Sequence, residues 1–237
     1  DVLGSRGLGD VYKRQILMLC EKTRREIAQD SDLIGGVISI GGAQSTVVAQ
    51  ATSLIADRYP GVKFQFFNGD AETLMERLDH GTLDFSILIE PVDLVKYEHL
   101  PLNETDEWGL LMQKDCSLAS KEIIRPEDIQ GVPLILPQRI GLQRELSAWA
   151  GIPMEQLNTI ATFDILFNNP SLLIKNGLGY AFALRTLVDT SESPTLCFRP
   201  LEPAIKIQYG LAWKRYPIFS KAAEKFIEQI RELIDDQ

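Results

Sequence analysis

Apolar residues recur along most of this chain at two alternating periods. Val37-Ile38-Ser39-Ile40 is a short, mostly apolar run that predicts a buried strand. The polar stretch Gly41-Gly42-Ala43-Gln44-Ser45-Thr46 comes next. Val47, Ala51, Leu54 and Ile55 then take up helical spacing, and Tyr59-Pro60-Gly61 stops it. Residues 62–67 predict a second strand, and Asn68-Gly69-Asp70 turns it into another helix with Leu74 and Leu78 on one face. That helix stops at His80-Gly81, and residues 84–89 predict a third strand. Strand, helix, strand, helix, strand at this spacing implies parallel strands with right-handed crossovers.

A second series begins near residue 98. Residues 98–102 and 108–112 predict two strands, and Arg125-Pro126-Glu127-Asp128 a short helical turn. Strands over 132–136, 158–162 and 180–184 alternate with helices over 142–150 and 170–176, the latter stopping at Gly177. Residues 196–201 and 207–213 alternate as strands do. Phe219, Ala223, Phe226, Ile227, Ile230, Leu233 and Ile234 mark a final amphipathic helix. Two α/β units result, and the end of the chain is free to return to the first. Before them, Ile16, Leu19, Cys20, Thr23 and Ile27 form one apolar stripe that Gly35-Gly36 breaks. Residues 1–15 share no pattern with the rest of the chain and are expected to be non-native or disordered.

Composition narrows the function classes. At 237 residues and 45% hydrophobic, the chain has enough apolar surface for one large or two smaller cores. A formal net charge of -9 makes it a poor nucleic-acid binder by itself, because phosphate contacts dominate that affinity. Cys20, Cys116 and Cys197 are odd in number and widely spaced, which fits neither a disulfide framework nor a metal site. No apolar run approaches the ~20 residues of a membrane span. A cytoplasmic protein is expected, with no membrane partner and no cofactor. His80 sits at a helix end and His99 before a strand, neither placed beside a Ser or Cys nucleophile, and no GxSxG, P-loop or metal-ligand spacing occurs, so catalysis is not expected.

Four segments in this order carry a family resemblance: residues 35–89 with their Tyr59-Pro60-Gly61 stop; residues 125–135, beginning Arg125-Pro126-Glu127-Asp128; Leu173-Ile174-Lys175-Asn176-Gly177-Leu178-Gly179-Tyr180-Ala181; and the strand ending in Trp213-Lys214 with its closing helix. From about Ile16 onward the chain resembles the effector-binding region of LysR-type transcriptional regulators. The resemblance implies an α/β fold of two Rossmann-like lobes joined by two crossing strands, periplasmic-binding-protein-like (type 2), with an effector in the cleft. It places a linker helix at 16–34, lobe 1 at 35–97 and 205–237, and lobe 2 at 98–204, with hinge strands near 98–115 and 196–212. It further implies a homodimer or homotetramer formed through the linker helix and the helix over 45–58. Promoter DNA would be contacted only through an N-terminal winged helix-turn-helix that this chain lacks. A solute-binding protein of a transport system shares these lobes and is the rival reading.

The residues at the strand-to-helix switches are the candidate effector contacts. Ligands in open α/β sheets bind beyond the carboxyl ends of the strands, and a helix N-terminus favours negative charge. These rules single out Ala43, Gln44, Ser45 and Thr46 in the first unit, with a carboxylate as the favoured effector group. Ser45 either caps its helix alone or also faces the ligand. In the second unit Pro137, Gln138 and Arg139 come directly after the first strand. Arg139 is either a bidentate carboxylate anchor or a solvated surface arginine. Phe163 either walls the site or packs into its own lobe. Asp164 would repel an anion, leaving it to cap a helix or to read an amine or hydroxyl. Asn68-Gly69-Asp70 reads as turn and cap before ligand contact. Cys116 and Cys197 fall close enough to the crossing segments for a redox pair, though two ordinary buried thiols are the simpler expectation.

Overall fold

In a computed structural model, residues 34–90, 95–163, 170–188, 190–191, 193–215 and 217–236 are described. The expected linker helix (but for residue 34), residues 1–15 and Asp164 therefore lie outside the described residues. The chain divides into two compact units, one of residues up to Glu104 plus those from Tyr209 on, the other Thr105–Gln208.

Unit 1 carries strands β1 (Gly35–Gly42), β2 (Gly61–Phe67) and β3 (Phe85–Ile89) and helices α1 (Thr46–Arg58) and α2 (Ala71–Asp79). β1 pairs in parallel with β2 on one side and β3 on the other, Ile38 opposite Phe64 and Ile40 opposite Phe85. Every residue of β3 is buried, as a strand covered on both faces should be. The apolar stripes bury as their spacing requires: Val47, Ala51 and Ile55 on α1, Leu74 and Leu78 on α2. Leu54 is the exception, at 44% exposed on the outer side of α1.

The chain runs from unit 1 into unit 2 along β4 (Tyr97–Gln113). The two short strands expected over 98–102 and 108–112 are one strand of 17 residues. Between the two expected strands lies the polar stretch Asn103-Glu104-Thr105, with Asn103 at φ 54°. Asn tolerates this left-handed conformation, so the strand continues through it. The expected lobe boundary at 97/98 coincides with the start of this strand, whereas the units divide inside it at 104/105.

Unit 2 adds β5 (Leu134–Pro137), β6 (Thr159–Phe163), β7 (Tyr180–Leu184) and β8 (Leu196–Pro200), with helices α3 (Ile140–Ala150) and α4 (Ser171–Lys175). β5 runs parallel to β6 and β7, and β4 is antiparallel to β7 and β8. β9 (Lys206–Lys214) brings the chain back into unit 1, where it pairs antiparallel with β3. α5 (Lys221–Asp235) closes the chain in unit 1. Phe226 on α5 lies 5.4 Å from the Phe85 ring and 5.7 Å from the Phe64 ring, so this last helix completes the core that β2 and β3 begin. The core of unit 2 gathers Leu111, Ile135, Phe163, Ile174, Ala181 and Phe198 from six different elements.

Candidate functional site

Each unit presents a strand-to-helix mouth. In unit 1 the chain leaves β1 at Gly42, whose φ is +108°. A Cβ there would lie 2.0 Å from the Ile87 carbonyl oxygen. Only glycine fits, and the tight turn lets the Ala43 N–H donate to Ile87 O at 3.1 Å. Ala43 is thereby buried, at 6% exposed, with its N–H already used. Gln44 and Thr46 are exposed. Ser45 has extended backbone, and its Oγ accepts from the Val48 N–H at 3.1 Å, so it caps α1.

The remaining N–H groups of the first turn of α1 point at a residue 58 positions away in sequence. Glu104 Oε1 accepts from the Thr46 N–H at 2.7 Å and from the Val47 N–H at 3.2 Å. The anion expected at this helix N-terminus is thus supplied by the chain itself. The partial positive charge at the N-terminus of α1 is met by this carboxylate. No local pattern announces Glu104, because its partner arrives only through the fold.

In unit 2, β5 ends at Pro137, which is buried, and Gln138 is exposed. The Gln138 N–H donates to Phe163 O at 2.7 Å, tying the ends of β5 and β6 together. Gln143, on the buried face of α3, donates through Nε2 to Pro137 O at 2.8 Å and to Gln138 O at 3.3 Å. Sequence reasoning alone does not reach Gln143. Its one signal is a polar residue at a buried position of a helix, beside Leu142 and Leu146. Arg139 is half-buried and takes the N-cap position of α3. Burial holds its guanidinium pKa below the ordinary arginine value, and the charge of Glu145 opposes that shift. Burial likewise pushes the Glu145 carboxyl above its ordinary value, against the pull of Arg139. Arg139 is therefore a partly desolvated cation rather than a freely solvated one.

Phe163 is 6% exposed and belongs to the core of its own unit, with Ile135, Ile174 and Ala181. The same alternation that places its backbone at the mouth turns its ring inward.

Asp70 caps α2, accepting from the Thr73 N–H at 2.7 Å, and that hydrogen bond lowers its pKa. His80 Nδ1 lies 2.7 Å from Glu76 O, and His99 Nε2 lies 2.5 Å from Glu90 Oε1. Cys116 and Cys197 are free thiols. Burial raises the pKa of Cys197, the reverse of what activates a thiol. Among the described residues no group of His, Cys, Asp or Glu is arranged to hold a metal, and no helix is long and apolar enough to cross a membrane.

Comparison with known proteins agrees with this architecture. The chain is 25% identical over 230 residues to the uncharacterized HTH-type transcriptional regulator YvbU of Bacillus subtilis, covering 94% of this chain and 76% of that protein. Its fold matches the C-terminal domain of a probable LysR family regulator from Rhodococcus sp. RHA1, with a TM-score of 0.68 at 19% identity, over 84% of this chain and all of that one (100%). It also matches the effector binding domain of QuiR in complex with shikimate, with a TM-score of 0.72 at 17% identity, over 86% of this chain and 99% of that one. The family described as LysR substrate binding domain matches residues 31–235. Two α/β units, strands β4 and β9 that run between them, and this match over most of the chain make it a member of the LysR substrate binding domain family.

Proposed function

We propose that this chain is the effector-sensing region of a DNA-binding transcriptional regulator and that its effector is a small carboxylate held by Arg139. The observation that carries this reading is the state of Arg139 at the mouth of β5. A half-buried guanidinium, partly stripped of water, gains more from a bidentate carboxylate than a solvated one does. Shikimate, bound by the QuiR domain of matching fold, is itself a small carboxylate. The effector regulates by binding one conformation of the assembled regulator better than another. The surfaces we assign to homodimer or homotetramer pairing are the segment over 16–34 and α1, whose Leu54 is an exposed apolar residue on a helix otherwise buried along its stripe. Promoter contact is assigned to a winged helix-turn-helix outside this acidic chain.

The test is a thermal-shift screen of small aliphatic, alicyclic and aromatic acids against the wild type and Arg139→Gln. At ~100-fold saturation a ligand specific to the folded state stabilises by about 2.7 kcal/mol. Arg139→Gln should lose that shift for the responding acid while keeping the unliganded melting temperature within a few degrees. A screen in which no acid responds, or a variant that responds as the wild type does, overturns the proposal.

A further inference from the structure

Unit 2 carries a cavity of about 370 Å³, within the size range of small-molecule sites. It lies along β8. In the sheet, β7 and β4 stand between β8 and β5, the strand that leads to Arg139. Three strand spacings, about 14 Å, therefore separate this cavity from that mouth. Lys114, Thr190, Leu196, Cys197, Phe198 and Arg199 line it, and no Asp or Glu is among its walls. The two cations have only neutral partners. Lys114 Nζ donates to Ser193 O at 2.6 Å. Arg199 donates from Nε to Lys121 O at 2.6 Å, from Nη1 to Phe198 O at 3.1 Å and from Nη2 to Ala119 O at 3.0 Å. These bonds fix the guanidinium yet leave one N–H on each Nη, and two on Lys114 Nζ. Neither cation has a carboxylate partner among the described residues. The Cys197 thiol does not supply a negative charge either, because burial raises its pKa. In a chain of formal net charge -9, two unneutralised cations share one concave site.

We infer that this cavity is a second ligand site, taking a small molecule with a compact oxyanion, a carboxylate or a phosphate, held between Arg199 and Lys114. The free N–H groups of both cations donate to the oxyanion, and charge-assisted bonds of this kind are the strong ones. The Thr190 hydroxyl adds a donor, and Leu196 and Phe198 give the rest of the ligand an apolar wall. Three backbone carbonyls already orient Arg199, so the ordering cost of binding falls mainly on the exposed Lys114. A ligand held this way ties β8, through Arg199, to Lys114 at the end of β4. The site is made of unit 2 residues alone and does not depend on Arg139.

The experiment follows the Thr190, Cys197 and Arg199 amide signals of the 15N-labelled full chain by NMR, at constant ionic strength. The probes are inorganic phosphate, acetate and, as a cation control, tetramethylammonium, each at millimolar concentrations. In the wild type, phosphate or acetate moves the three signals along a saturating curve, and tetramethylammonium leaves them in place. The oxyanion that saturates at lower concentration names the headgroup. Lys114→Gln weakens that binding by about tenfold or more, as loss of a hydrogen bond from a charged group implies. Lys114→Glu abolishes it. Lys114 is exposed with one side-chain hydrogen bond, so both variants keep the wild-type melting temperature within a few degrees. Arg139→Gln leaves the response unchanged. Signals that follow neither oxyanion to saturation overturn the inference, as does a Lys114→Glu protein that responds like the wild type. A response lost in Arg139→Gln also overturns it, since the anion would then sit at the mouth of β5. Failure of every acid in the Arg139 screen leaves this result untouched, because the two readouts report on different ends of the unit.

Discussion

Single carboxylates do three different jobs in this protein, and their surroundings tell them apart. Asp70 is a cap, held by the Thr73 N–H, and its pKa is lowered first by that bond. Its contribution to stability is therefore fully present above the ordinary carboxylate pKa and is lost as pH falls through the lower folded value. Asp70→Ala should cost about 1 kcal/mol near neutral pH, the usual worth of an N-cap. Asp70→Asn should keep most of that while removing this residue's share of the acid sensitivity. Urea melts of the three proteins across the acid range check both points; an Asn variant as acid-sensitive as the wild type would refute the assignment. Asp84, 7% exposed, accepts from the Ser39 N–H at 2.8 Å and joins β1 to the start of β3. Glu104 differs from both in keeping one buried oxygen unpaired. Its residue type is plain in the sequence, but its role is not, because the partner N–H groups lie 57 and 58 positions away.

Elements form where the pattern of apolar residues is unambiguous. α5 shows this best: Ala223, Phe226, Ile227 and Ile230 are buried as their spacing requires. Phe226 is fully buried among Phe64 and Phe85, so Phe226→Ala should cost about 3–5 kcal/mol. The β1–α1 turn depends on backbone geometry in place of apolar contact. Gly42→Ala combines a positive φ with a Cβ 2.0 Å from Ile87 O, and should cost roughly 2–4 kcal/mol. It should also displace the Ala43 N–H from Ile87 O, which amide hydrogen exchange at Ala43 would report; an Ala variant with native stability and a protected Ala43 amide would show that the turn tolerates a side chain. β4 is the element whose extent the pattern conceals. Its polar middle, Asn103-Glu104-Thr105, resembles a loop because polar residues in a strand are expected to alternate rather than cluster. The cluster sits where the chain passes from one unit to the other.

At the scale of the molecule, two units with separate cores predict two separable stabilities. Phe226→Ala should accelerate hydrogen exchange at Ile38 and Phe85 in unit 1 far more than at Ile135 and Ala181 in unit 2. Equal acceleration throughout would show that the chain opens as one cooperative body. Unit 1 is built from both ends of the described chain, and β9 and α5 close it. Hydrophobic periodicity alone determined the order of strands and helices, the parallel pairing of the first unit and the two mouths, because burial requires period-matched apolar faces whatever they pack against. The family resemblance rested on that same order and spacing. What the tertiary structure decided is how each mouth is filled. Phe163 turned into its core, Gln143 took hold of the Pro137 and Gln138 carbonyls, and Glu104 reached the N-terminus of α1. Each depends on groups distant along the chain or on which side of an element faces inward, and a helix N–H carries no record in its own sequence of the acceptor that will meet it.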